Sequence, residues 1–143
     1  RVFESREGNI LDGDQLIYII ARHEKAKNRL KGGVVGPLMS NSGLELALSK
    51  LDIPFIRANV GDKYIKEELK KNNWMIGAES SGHIINLNHT STGDGIIAAL
   101  KILIAMCDTK KSLSELTEDL VMFDQIMINE LSLHYLEYYF LRL

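Results

Sequence analysis

The run Gly77-Ala78-Glu79-Ser80-Ser81-Gly82-His83 brings a carboxylate, hydroxyls and an imidazole together in a short stretch. An ionised Glu79 can accept hydrogen bonds from two adjacent sugar hydroxyls, and Ser81 can both donate and accept. Gly82 lets a ring come close to the backbone. His83 can hydrogen-bond a phosphate or exchange a proton near neutral pH. A second group, Lys63 in Gly61-Asp62-Lys63-Tyr64, lies just inside the start of a helix. There its ammonium and the free N–H groups can both face an anion. The same residues also suit a plainer role: a polar hairpin turn with an exposed Glu79, His83 over the sheet edge and Lys63 on a solvated helix face. Residue chemistry alone leaves both readings open.

These groups need a scaffold, and the hydrophobic pattern supplies one. Asp14 to Arg29 reads as a helix closed by Gly32-Gly33, followed by a short buried strand at Val34-Val35-Gly36. Ser42 is expected to cap the next helix, whose Leu44, Ala47, Leu48 and Leu51 recur at helical spacing. Pro54 to Val60 is the next strand, and Asp62 opens a charged helix through Lys70 with Tyr64, Ile65 and Leu69 inward. Trp74–Glu79 and His83–Leu87 read as a hairpin around Ser80-Ser81-Gly82. Thr92-Gly93-Asp94-Gly95 starts an apolar helix, Ile96 to Cys107, expected to be mostly buried, and Ser112 or Ser114 caps a last helix to Leu120. The alternation predicts an α/β fold: a three-layer α/β/α sandwich with a mixed, mainly parallel four-stranded sheet and one antiparallel hairpin strand.

The 143 residues suffice for one domain with a core, and the 45% apolar and 25% charged residues are an ordinary folded balance. A formal net charge of −2 gives no footprint for nucleic acid or an anionic membrane. The longest apolar stretch is too short for a bilayer, and the single cysteine excludes an internal disulfide framework. The chain begins at Arg1 with no signal peptide and reads as a piece of a longer one.

Several other signals have modest readings. Asp12-Gly13-Asp14 has the letters of a metal loop but leads into a helix, so N-capping accounts for it, and no metal ligands are assigned. Arg22, Lys25, Lys27, Arg29 and Lys31 end a helix as a solvated basic face. Asp94 is expected to cap its helix, and Cys107 to be inert packing. His23, His89 and His134 share no metal-ligand spacing.

Glu79-x-Ser81-Gly82-His83, followed by Thr92-Gly93-Asp94-Gly95-Ile96 and an apolar helix, resembles the sugar-binding loop of the α-D-phosphohexomutases. Asp12-Gly13-Asp14-Gln15, Gly33-Val34-Val35-Gly36, Leu38-Met39-Ser40-Asn41, Gly43-Leu44-Glu45-Leu46-Ala47-Leu48 and Val60-Gly61-Asp62-Lys63-Tyr64 extend the likeness in order. It covers about residues 7–129 and is nearest to the bacterial branch acting on glucosamine phosphates. The resemblance implies a third, sugar-binding domain at residues 1–129 and a divergent tail at 130–143. It implies a hexosamine phosphate substrate held by Glu79, Ser81, Gly82, His83 and Lys63, with no catalytic group in this segment. It further implies a phosphoserine nucleophile, Mg²⁺ ligands and a phosphate loop on other domains of a cytoplasmic parent enzyme, without which this segment alone would be inactive. Pro37 stands where the family usually has Thr, and Asp124 where a Pro is expected. In the tail, Leu133, Leu136, Phe140 and Leu143 recur at helical spacing. The alternatives are a hexomutase for glucose or mannose phosphates, or a non-catalytic α/β module binding a partner through the tail.

Overall fold

The computed structural model describes residues 3–126, so the tail expected at 130–143 lies outside the described residues. The chain opens with a two-stranded ribbon, β1 (Phe3–Glu4) antiparallel to β2 (Ile10–Leu11). Then follow α1 (Gly13–Ala26), β3 (Val34–Pro37), α2 (Ser42–Ser49), β4 (Phe55–Ala58) and α3 (Asp62–Asn72). β5 (Ile76–Ala78), β6 (Ile84–Asn86), α4 (Gly95–Thr109) and α5 (Leu113–Leu116) complete it. The main sheet runs β4-β3-β5-β6. β3 is parallel to both β4 and β5, and β6 is antiparallel to β5.

Period-2 alternation along these strands divides the core into two. Val34, Ile76, Ala78 and Ile84 face the larger cluster, built with Leu16, Ile17 and Ile20 of α1, Leu44 and Leu48 of α2, and Ala98 and Ile102 of α4. Val35, Ala58 and Ile85 face the other way onto Ile65 and Leu69 of α3. Each fully buried Ile or Leu is worth about 1.5–3 kcal/mol, so neither layer is decoration. The result is the three-layer α/β/α sandwich with a mixed sheet. Pro37 ends β3, where its missing N–H is harmless, and the next N–H, of Leu38, donates to Ala58 O at 2.9 Å.

Several local expectations need correction, among them Tyr64 of α3, which is exposed rather than inward. The β1–β2 ribbon has no counterpart in the sequence reading, because two-residue strands carry no periodic signal. Asn41, not Ser42, caps α2: its side chain accepts from the Gly43 N–H at 2.9 Å. α5 stops at Leu116 rather than Leu120. Most substantially, α4 is not mostly buried. Its Ala98, Ile102 and Ala105 pack inward, while Ile96, Leu100, Leu103 and Ile104 are exposed. Cys107 is also exposed rather than inert packing. A helix that is apolar all round does not announce which stripe will be covered. Elsewhere the caps match expectation: Asp12, Asp94 and Ser112 each accept backbone N–H bonds at a helix start. The basic end of α1 is neutralised by acids, with Arg22 on Asp119, Lys27 on Asp108 and Arg29 on Glu24. Among the described residues no helix is long and apolar enough to cross a membrane.

Candidate functional site

Because β3, β4 and β5 are parallel, the loops leaving their carboxyl ends share one edge of the sheet. These are residues 38–41, 59–61 and 79–83. Open α/β sheets bind ligands at that edge, where loops can diverge and backbone N–H groups face outward.

The 79–83 loop is a closed turn. The Glu79 N–H donates to His83 O at 3.0 Å, and the Gly82 N–H donates to Glu79 O at 2.9 Å. Gly82 has φ +89°, a conformation a side chain would strain. Ser81 is exposed, and Glu79 is half-buried. No other described residue is hydrogen-bonded or ion-paired to the Glu79 carboxylate. A carboxylate and a hydroxyl on a rigid turn, both with free capacity, can take up a vicinal pair of hydroxyls.

His83 leans over Gly93, whose missing side chain leaves room for the ring. Its Nε2 is 3.8 Å from Asp62 Oδ2, too far for a hydrogen bond, and has no hydrogen-bond partner among the described residues. Asp62 is held below the usual carboxylate range, chiefly by a hydrogen bond from Lys66 at 3.0 Å, with the charges of Lys66 and His83 adding to it. The structure therefore brings the 79–83 turn against the start of α3, which carries Lys63. The Lys63 ammonium itself points elsewhere. It is largely exposed, 3.9 Å from Glu67 and 5.8 Å from the Tyr64 ring centre. Glu79, Ser81, Gly82 and His83 form one turn, and Lys63 sits on the neighbouring element with its head group turned to α3.

Residues not singled out from the sequence hold the 38–41 loop. Arg57 Nη1 donates to Leu38 O at 2.9 Å and Ser40 O at 2.7 Å, while its Nε and Nη2 clasp Glu45 at 3.1 and 2.9 Å. Asp14 reaches the same loop from α1 and accepts from the Asn41 N–H at 2.6 Å. Burial pushes the Asp14 carboxyl above its ordinary value, against the opposing pull of that bond. A lone Arg at the end of a strand carries no sequence signal for such a role.

Among the described residues no three His, Cys, Asp or Glu side chains come together to hold a metal. Asp12 is occupied as a helix cap and Asp14 faces Asn41, so Asp12-Gly13-Asp14 does not offer a Mg²⁺ site.

The family model described as phosphoglucomutase/phosphomannomutase, alpha/beta/alpha domain III, matches residues 12–122. The chain belongs to this family. Its relatives include the phosphoglucosamine mutase of Haemophilus ducreyi, 57% identical over 122 residues, covering 85% of this chain and 28% of that protein. That of Shewanella denitrificans is 54% identical over 125 residues, covering 87% of this chain and 28% of that protein. The chain thus spans little more than a quarter of the length of these relatives. A crystal structure of a putative phosphomannomutase from Thermus thermophilus aligns with TM-score 0.70 and 26% identity, over 78% of this chain and 25% of that one. An apo-form N-acetylglucosamine-phosphate mutase of the α-D-phosphohexomutase superfamily aligns with TM-score 0.72, over 85% of this chain and 36% of that one. At 20% identity that likeness speaks to the fold. As a member of this family, the chain carries its α/β/α layers.

Proposed function

We propose that this chain is the sugar-phosphate-binding domain of a phosphoglucosamine mutase. The full-length protein would interconvert glucosamine 6-phosphate and glucosamine 1-phosphate in the cytoplasm, supplying amino-sugar nucleotide and cell-envelope precursors. Residues 1–129 are assigned to the domain and 130–143 to a divergent tail. The observation that carries the reading is the Glu79–His83 turn, with a carboxylate that no other described residue engages beside an exposed serine at the carboxyl edge of the sheet.

The chemistry assigned to the chain is holding and orienting, not bond-making. A phosphoserine elsewhere in the protein phosphorylates the sugar to a bisphosphate, which turns over and returns its other phosphate. The domain must therefore hold one hexose in two opposite orientations. Glu79 and Ser81 grip a neighbouring pair of ring hydroxyls, which stays nearly in place when the ring is flipped. Gly82 lets the ring approach the turn, while His83 and Lys63 meet the phosphate distal to the reacting end. Lys63 is free to swing there, because the exposed pair it makes with Glu67 contributes little. Bound Mg²⁺ would neutralise charge on the transferring phosphoryl group, from ligands outside the described residues. The reacting atoms are presented in a fixed pose, which is where most phosphoryl-transfer catalysis lies.

The test is a heteronuclear NMR titration of the chain with glucosamine 6-phosphate. Amides at 79–83 are expected to shift first, and Glu79→Gln to weaken binding by about tenfold, the loss of one charge-assisted hydrogen bond. Glu79→Gln should leave the melting temperature within a few degrees of the parent, since the carboxylate supports no other described residue. A titration that moves no amide in the turn refutes the reading. Mannose 6-phosphate bound more tightly would move the assignment to another hexomutase.

A further inference from the structure

The start of α1 lies directly beneath the 79–83 turn. Gly13, its first residue, donates its N–H to Ser80 O at 2.9 Å. A Cβ on Gly13 would fall deep inside contact distance of the Glu79 carbonyl oxygen, and 2.8 Å from Gly82 N. Gly13 has no positive φ, so the position calls for glycine because of close approach and not backbone conformation. Both atoms it touches belong to the hydrogen bond that closes the turn, Gly82 N–H to Glu79 O. Being backbone, they cannot rotate aside as a side chain would.

One residue further on, the same helix start engages the neighbouring loop, through the bond from the Asn41 N–H to Asp14. The helix start is itself rigid. Asp12 accepts from the Gln15 N–H at 2.9 Å, and the Gln15 side chain accepts from the Asp12 N–H at 3.0 Å. Such a reciprocal cap fixes the first turn of a helix. Asp12-Gly13-Asp14 is thus a single rigid piece in contact with two of the three loops at the ligand edge.

We infer that Gly13 is a positioning residue for sugar recognition: it seats the Glu79–His83 turn and sets the height of that turn relative to the 38–41 loop. The inference rests on the sugar-binding reading above and extends it to a residue that touches no substrate. An added methyl at Gly13 must drive the turn back by roughly an ångström, enough to spoil a hydroxyl pair held by Glu79 and Ser81.

The test measures the affinity of the chain for glucosamine 6-phosphate in Gly13→Ala, Glu79→Gln and the double variant, with Gly33→Ala as a control. Gly33 is a steric match, because its Cβ would collide with the Pro54 carbonyl, just before β3 at the opposite end of the sheet. Gly13→Ala is expected to raise the dissociation constant about tenfold in the parent, yet less than twofold in the Glu79→Gln background, because both act through one contact. Gly33→Ala should destabilise the fold comparably and change affinity less than twofold. Hydrogen exchange on the unaltered chain gives a readout that needs no variant. Saturation with glucosamine 6-phosphate should slow exchange at the Gly13 amide together with that at Gly82. Unaltered affinity in Gly13→Ala, additive losses, an equal loss in Gly33→Ala, or a Gly13 amide insensitive to ligand each overturn the inference while leaving sugar binding standing. A parent chain that binds no sugar phosphate overturns the functional reading, and the inference with it.

Discussion

Replacing Gly93 by alanine displaces His83 without removing it, which separates the imidazole's position from its presence. The new Cβ would fall on the His83 ring, inside contact distance of Nε2 and 2.8 Å from Cδ2. Ordinary contact begins near 3.4 Å, so the ring must retreat by roughly an ångström. Unlike the backbone above Gly13, an imidazole that is 36% exposed can yield by rotating. Forcing a side chain about 30° off its rotamer costs roughly 0.5–1.5 kcal/mol. Against this, Gly→Ala at a position without positive φ stabilises by about 0.4–1 kcal/mol through the unfolded chain. The two nearly cancel, and the folding free energy should stay within about 1 kcal/mol of the parent. Binding should respond far more. A charge-assisted hydrogen bond to phosphate is worth about 1.5–3 kcal/mol, so its loss should weaken glucosamine 6-phosphate roughly tenfold to a hundredfold. Unphosphorylated glucosamine, which the proposed function assigns to Glu79 and Ser81, should bind as before. Calorimetry with both ligands, alongside urea denaturation, reads all three quantities. Equal weakening of the two sugars, or a large stability loss with unchanged binding, would refute the placement of His83 at the phosphate.

Two further outcomes test neighbouring groups. Lys63→Ala and His83→Ala should each weaken the phosphorylated sugar, and the double variant should lose less than the product of the two, because both serve one ligand group. Independent effects near unity in both singles would end the phosphate role. Lys101→Met bears on stability and its pH dependence. Burial raises the Glu24 carboxyl, but Lys101 at 3.1 Å and the two bonds from Arg29 outweigh it and hold the group below its ordinary value. A carboxylate depressed in the folded state stabilises above its unfolded pKa and loses that contribution as pH falls through the folded one. Removing the Lys101 ammonium from this buried acid should cost about 2 kcal/mol at pH 7, less than a fully orphaned ion because Arg29 remains. The gap should shrink below pH 4.5, the ordinary value from which Glu24 is depressed. Denaturant melts at neutral and acid pH check this, and a gap that widens at acid pH would contradict it.

Much of the fold was legible because it is written locally. The spacing of Leu44, Ala47 and Leu48, the paired valines at 34 and 35, and the caps at Asp94 and Ser112 each depend on residues within one turn or one strand. The edge turn was legible for the same reason: Glu79, Ser81, Gly82 and His83 are adjacent, so a hairpin alone brings them together. The choice of Asn41 over Ser42 was not. Both can cap α2, and Asn41 also receives the Phe123 N–H on its side chain and gives its own N–H to Asp14, partners far along the chain. The exposed stripe of α4 was equally hidden, since Ile96, Leu100, Leu103 and Ile104 are as apolar as the buried Ile102. Composition sets the tendency to be covered, and only packing decides which side of the helix is covered. Gly13 is the sharpest case. In sequence it is a small residue between two aspartates at a helix start; in three dimensions it is the gap into which the Glu79 carbonyl fits. Sequence fixes what each segment can form and which groups it can offer. How closely two segments far apart in the chain approach is decided by the packing of the whole core, and no local pattern records it.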